Sequence, residues 1–209
     1  MNDNKYNNAI NNFQIAQHSG IPKFEKLDNW LERESILYKS ETKLKKKRYI
    51  KLKRGTIVKV DFGINPGSEL CNTHFAVTLS KYDNINQETI IVLPLTSKPV
   101  VGRIPLNNLI KKELLNYLKK KEISTLDTEE LHKILSEYKK YKEFSYAYIS
   151  QITTISKSRL IYPKNKLDII NKIRCSDDVL NKIDDEIIEN ITGKKVINII
   201  DKEDLLIKS

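Results

Sequence analysis

Three short β-prone segments at close spacing constrain this chain more than any other feature. Residues 56–62 (TIVKVDF), 75–80 (FAVTLS) and 89–96 (TIIVLPLT) are rich in β-branched side chains. A Gly/Pro/Asn loop, GINPGSEL, follows the first, and a turn-like YDNINQE separates the second from the third. Parallel strands need long crossovers, usually helical. These connections carry turn residues instead, so a small barrel or sandwich is expected rather than a βαβ sheet. Residues 145–156 (SYAYISQITTIS) return to strand character.

Around these strands the pattern is helical. Residues 24–47 place Leu27, Trp30, Leu31, Ile36, Leu37 and Leu44 on one stripe, with Asp28 as a plausible N-cap. Residues 106–143 read as two helices, a hairpin inserted between strands. A final helix is expected from Ser176, with Asp177 and Asp178 in its first turn and Gly193 as its stop. Residues 1–22 are Asn-rich and without clear period, and are expected to be loosely ordered. The expected division is an extension over 1–50, a domain over 51–192 and a tail over 193–209. No internal repeat is evident.

Composition narrows the compartment more than the function. The net charge is +10 and the pI about 9.4. A basic run, Lys43, Lys45, Lys46, Lys47, Arg48, Lys51, Lys53 and Arg54, precedes the first strand. Such a chain suits a polyanion or an acidic protein. A lysine-rich, AT-rich genome gives the same excess, so charge alone does not identify a nucleic-acid binder. Two cysteines, Cys71 and Cys175, are too few for a disulfide framework or a four-cysteine zinc site. No apolar leader opens the chain and no apolar run is long enough to span a bilayer. A reducing cytoplasm is the expected compartment.

Four ordered blocks, RGTIVKVDFGINPGSEL, HFAVTLS, IVLPLTSKP and SQITTISKSRL, resemble the MazF/PemK toxins. Those proteins run through an Arg-Gly start, a loop ending in GSE, a strand opening with Arg-Pro, a strand ending in Pro-x-Thr, a Gln-led strand and a C-terminal helix. The match covers Arg54 to Pro99 and Ser145 to about Ile191. The resemblance implies an α+β fold: an SH3-like β-barrel with helices, usually a homodimer. It implies a toxin that cleaves single-stranded RNA at short sequences, with neither metal nor other cofactor, and that an antitoxin protein neutralises.

A metal-free ribonuclease uses the 2′-hydroxyl of RNA as nucleophile. It needs help removing that proton, charge stabilisation at phosphorus, and help for the leaving 5′-oxygen. In the family an Arg on the second strand and a Thr at the end of the third fill the main roles. The Thr maps onto Thr96. Counting without a gap from Glu69 to Ala76 puts His74 where the family has Arg, and Phe75 where it has Pro. Arginine is always charged and grips phosphate with a fork; histidine titrates near neutrality and can give or take a proton. His74 is therefore the expected acid, base or donor to the phosphate, against the alternative of a strand residue in an inactive site.

Arg54, Ser68, Glu69, Ser97 and Lys98 are the candidate RNA contacts, each balanced by a plain surface or loop-fixing role. Gln151 and Arg159 match family positions and are expected to be structural, Arg159 anchoring the turn into the last helix. His18 and His132 lack ligand-spaced partners. The tyrosines of residues 137–148 could stack on bases or pack in the core. Two other classes compete: a gyrase-binding toxin like the CcdB proteins, which share the barrel, and a catalytically dead RNA-binding module.

Overall fold

The computed structural model describes residues 3–43, 47–99, 103–106, 112, 116, 128–129, 132, 136, 145–163 and 170–195. The elements are α1 (Asp3–Gln17), α2 (Leu27–Glu41), β1 (Ile57–Asp61), β2 (Thr73–Thr78), β3 (Thr89–Thr96), β4 (Ile104–Pro105), β5 (Tyr146–Ala147), β6 (Thr153–Ser156), β7 (Leu160–Ile161) and α3 (Asp177–Thr192). Most of the expected hairpin at 106–143 lies outside the described residues. Lys112, Asn116, Thr128, Glu129, His132 and Ser136, which fall within it, are helical. The tail beyond residue 195 also lies outside them.

The fold is α+β. The strands form an antiparallel sheet in the order β4-β5-β3-β2-β1-β7, with β6 also on β3. Among the described residues the end strands β4 and β7 do not pair, so the sheet is open where the expected barrel would close.

Side chains alternate across a strand, and here both faces are covered. One face buries Ile57, Val77, Leu93 and Leu95 against Leu180 and Ile183 of α3, together with Ile104 and Ala147. The other buries Val58, Val60, Ala76 and Val92 with Phe62, Ile155 and Leu160. Each fully buried aliphatic side chain contributes about 1.5–3 kcal/mol. The helix α3 is also held through the chain before it. Ile57 N–H donates to Ile173 O at 3.0 Å, and Cys175 N–H donates to Gly55 O at 2.9 Å. Ser176 sits at the N-cap, two acids fill the first turn, and Gly193 closes the helix at φ 68°, as the sequence pattern requires.

Three expectations need correction. The stretch 145–156 is not one strand. β5 pairs with Leu95 and Thr96, β6 pairs with 89–92, and a 3-10 turn (Ile149–Gln151) lies between them. Pro94 explains the break. Its carbonyl accepts Tyr148 N–H at 3.0 Å, so its ring nitrogen, which has no proton, faces the same side and leaves the ladder one donor short. Residues 1–22 are not loosely ordered, because α1 occupies Asp3–Gln17. Tyr6, Ile10 and Phe13 recur at helical spacing within the Asn-rich run, although all three are exposed. The N-cap of α2 is Lys26 rather than Asp28, which lies in its first turn.

Candidate active site

His74 enters the site through strand register. β2 opposes β1 with His74 across from Val60. β2 and β3 pair with Ala76 across from Pro94, and continuing that antiparallel register two residues sets His74 opposite Thr96. Both side chains therefore stand on the face that carries Val60, Ala76 and Val92. The His74 ring places Nδ1 3.3 Å from Leu95 O and meets the Phe62 ring edge-on, with centroids 6.4 Å apart. Burial lowers the His74 pKa below the ordinary 6.5, opposed by hydrogen bonding to the backbone of Leu95 and Cys71. Burial thus favours the neutral imidazole. A carbonyl oxygen can only accept, so Nδ1 carries the proton toward Leu95 O and the neutral form has its lone pair on Nε2.

Thr96 ends β3 and is partly buried. Its Oγ1 accepts Lys98 N–H at 3.3 Å, and among the described residues no acceptor takes its own proton. Ser97 is partly buried and Lys98 exposed beside it. His74 reaches the same end of β3 through its bond to the Leu95 carbonyl.

The loop from Phe62 to Asn72 flanks His74. Its base is closed by Phe62 N–H to Asn72 O at 3.0 Å and Asn72 N–H to Gly63 O at 2.6 Å. Asn65 Nδ2 donates to Phe62 O and Leu70 O, and Gln151 Oε1 accepts Leu70 N–H at 3.1 Å. Gln151 thus has the structural role expected of it. Ser68 and Glu69 are exposed at the loop tip. Among the described residues no hydrogen bond joins Glu69 to His74, whose ring is oriented by the Leu95 carbonyl instead. A groove of about 550 Å³ runs between this loop and β6, lined by Phe62, Glu69, Gln151, Thr153, Thr154 and Arg159 among others. Phe62 therefore belongs both to the groove wall and to the His74 environment.

Arg54 is not brought to this site. Its guanidinium pairs with Asp184 of α3, and its Nε donates to Leu79 O at 3.2 Å. The helix it pairs with covers the opposite face of the sheet. Arg159 does not anchor the turn into α3. It bonds Glu34 at 2.8 Å and Phe62 O at 3.3 Å, and lies over the Trp30 ring at 5.0 Å.

Arg159 belongs to a contact that the sequence did not reveal. The N-terminal extension grips the site loop and its base. Lys23 Nζ donates to Asn65 O at 3.0 Å and Gly67 O at 2.8 Å. Arg33 pairs with Asp61 at 2.7 Å. Trp30 lies against Gly63, where a Cβ would fall 2.3 Å from the indole. Gly63 has φ +80°, so glycine is required there twice over. Of the tyrosines considered for stacking, Tyr138 and Tyr141 lie outside the described residues. Tyr146 pairs across from Thr96, and Tyr148 stacks under Arg103.

Among the described residues, no three His, Cys, Asp or Glu side chains converge as a metal-ligand set, and no helix is long and apolar enough to cross a membrane. Among known proteins, a family model described as PemK-like, MazF-like toxin of type II toxin-antitoxin system matches residues 53–191. No curated protein matches the chain.

Proposed function

The chain belongs to the PemK-like, MazF-like toxins of type II toxin–antitoxin systems, and from that premise we propose that it is an endoribonuclease cutting single-stranded RNA at short sequences. On this reading the open seven-stranded sheet is this chain's version of the family's small SH3-like barrel, two chains pair as a homodimer, and a cognate antitoxin protein covers the site. The toxin acts in the cytoplasm, where its RNA is.

The observation that carries the proposal is the strand register that sets the half-buried His74 imidazole, bonded to Leu95 O, against the Thr96 end of β3. His74 Nε2 takes the proton of the RNA 2′-hydroxyl. The 2′-oxygen forms a bond to phosphorus, and the bond from phosphorus to the 5′-oxygen breaks. The 5′-oxygen leaves with a proton from water, and His74 returns its own proton to solvent. Thr96 donates to a non-bridging oxygen and holds the phosphate in line. Ser97 and Lys98 contact the adjoining backbone, the lysine as a point charge. Ser68 and Glu69 contact the strand from the rim of the groove. Arg54 stays out of this path because its guanidinium is engaged by Asp184 and Leu79.

Incubation with a long RNA in EDTA tests the proposal. Cleavage at defined sites, leaving 2′,3′-cyclic phosphate and 5′-hydroxyl ends, is the expected result. Binding without cleavage would instead identify an inactive RNA-binding module, the alternative that histidine in place of the family's arginine at position 74 opens. Gyrase inhibition with neither would make the chain CcdB-like in action.

A further inference from the structure

We propose that Arg103 supplies the fixed positive charge that position 74 lacks, holding a non-bridging oxygen of the scissile phosphate. This assignment rests on the RNA-cleavage reading above.

The pairing at the end of β3 brings Arg103 toward the site. Ile104 pairs with Ala147, and Ala147 pairs with Leu95. All three are buried in the core that holds α3. Within β3, Thr96 follows Leu95 and emerges on the opposite face, which is the His74 face. Arg103 immediately precedes β4 and Tyr148 immediately follows β5, and the two meet through the stack of guanidinium on ring. From there the Arg103 guanidinium runs toward the end of β3. Its Nη1 donates to Lys98 O at 2.9 Å, and the N–H of that same Lys98 reaches Thr96 Oγ1. Two hydrogen bonds and one residue separate the guanidinium from the Thr96 hydroxyl.

Among the described residues its charge is also uncommitted. Arg33, Arg54, Arg159 and Arg174 each meet a carboxylate. Among the described residues no carboxylate pairs with Arg103. The guanidinium stacks on the Tyr148 ring, 4.1 Å from its centroid, and its Nε is shielded from solvent without a hydrogen-bond partner. With Nη1 held by the Lys98 carbonyl and the plane fixed by the stack, the remaining Nη2 edge suits a phosphate oxygen. As charge builds on phosphorus during attack, a preset cation acts most strongly on the transition state. The division of labour follows: His74 moves the proton and Arg103 holds the charge, two tasks that need different side chains.

Arg103→Gln removes the charge but can still donate to Lys98 O. Single-turnover cleavage at saturating protein should slow by about 100-fold, the effect of losing one such donor, while RNA affinity shifts only a few-fold. Free guanidinium, at a concentration that leaves the fold intact, should restore part of the rate of Arg103→Ala and leave the parent unchanged. A purely structural arginine would lower the melting temperature and would not be rescued. Should Arg103→Ala fail to fold, Arg103→Gln and Arg103→Lys carry the comparison, with lysine falling between glutamine and the parent. A folded Arg103→Gln protein that cuts RNA as fast as the parent overturns the assignment alone. A parent that cuts no RNA overturns the ribonuclease reading and this assignment with it.

Discussion

At the scale of single residues, His74 is the position on which the chemistry turns. Burial beside Phe62 keeps its folded pKa below the 6.5 of an exposed imidazole. A base works when neutral, so kcat/KM should rise with pH to a bend below 6.5 and stay level above it. A bend at or above 6.5, or one unchanged in His74→Gln, would exclude His74 as the base. The same shift affects stability. The unfolded chain binds this proton more readily than the folded protein. The contribution of His74 is therefore complete above about 6.5 and declines as pH falls from there through the folded pKa. His74→Gln should flatten that part of the urea-midpoint profile. At Thr96 only the hydroxyl is assigned a role. Thr96→Val keeps the branched shape and should lose about 100-fold in rate, the lower end of the range for one transition-state donor. Thr96→Ser should retain most of the rate, and an active valine variant would dismiss the hydroxyl from the mechanism.

At the scale of elements, two attachments stand out. The first joins the N-terminal extension to the site loop through Lys23, Trp30, Arg33 and Glu34. Gly63→Ala would drive a methyl into Trp30 and force a side chain into positive φ. It should cost about 1–3 kcal/mol and lift α2 from the loop. Trp30 is the sole tryptophan, so its emission should shift to the red. Unchanged emission and an unchanged denaturation midpoint would contradict that attachment. The second is the fully buried Lys157–Asp83 pair. Asp83 also accepts Leu52 N–H, and Lys157 also donates to Ile50 O and Asn84 O. These bonds tie the segment before β1 and the β2–β3 connection to the chain just after β6. Removing one partner strands a buried charge, so Lys157→Ala should cost about 3–5 kcal/mol. Lys157→Met combined with Asp83→Leu should cost much less, and equal losses in the two proteins would show that the charge pairing is immaterial.

The same scale shows what was readable. β1, β2 and β3 were visible because each is a short β-branched run bounded by turn residues. The break between β5 and β6 was not, since it depends on which side of β3 Pro94 faces. α1 was obscured by Asn content, although Tyr6, Ile10 and Phe13 carried its period. Thr96 could be placed from its block alone. Arg103 could not, because a lone arginine in GRIP carries no pattern, and its bond to the Lys98 carbonyl follows a β4–β5–β3 pairing that no local spacing encodes.

For the whole molecule, the charge of +10 should make RNA binding fall as salt rises. Single-stranded nucleic acid loses about 0.7 in the logarithmic salt slope for each phosphate contact removed. Lys98→Ala and Arg103→Gln should each lower the measured slope by roughly that amount. Slopes equal to the parent's would place these cations away from the backbone. The sequence by itself determined the strand-rich α+β class, the C-terminal helix with its acidic start and glycine stop, and the family, because these rest on local periodicity and on ordered short blocks. Only the tertiary structure decided that Arg54 faces α3 instead of the site, that the N-terminal arm grips the loop, and that Arg103 bonds the Lys98 carbonyl. Those facts depend on register and on which face of the sheet a residue meets, and a one-residue change in either would reverse them.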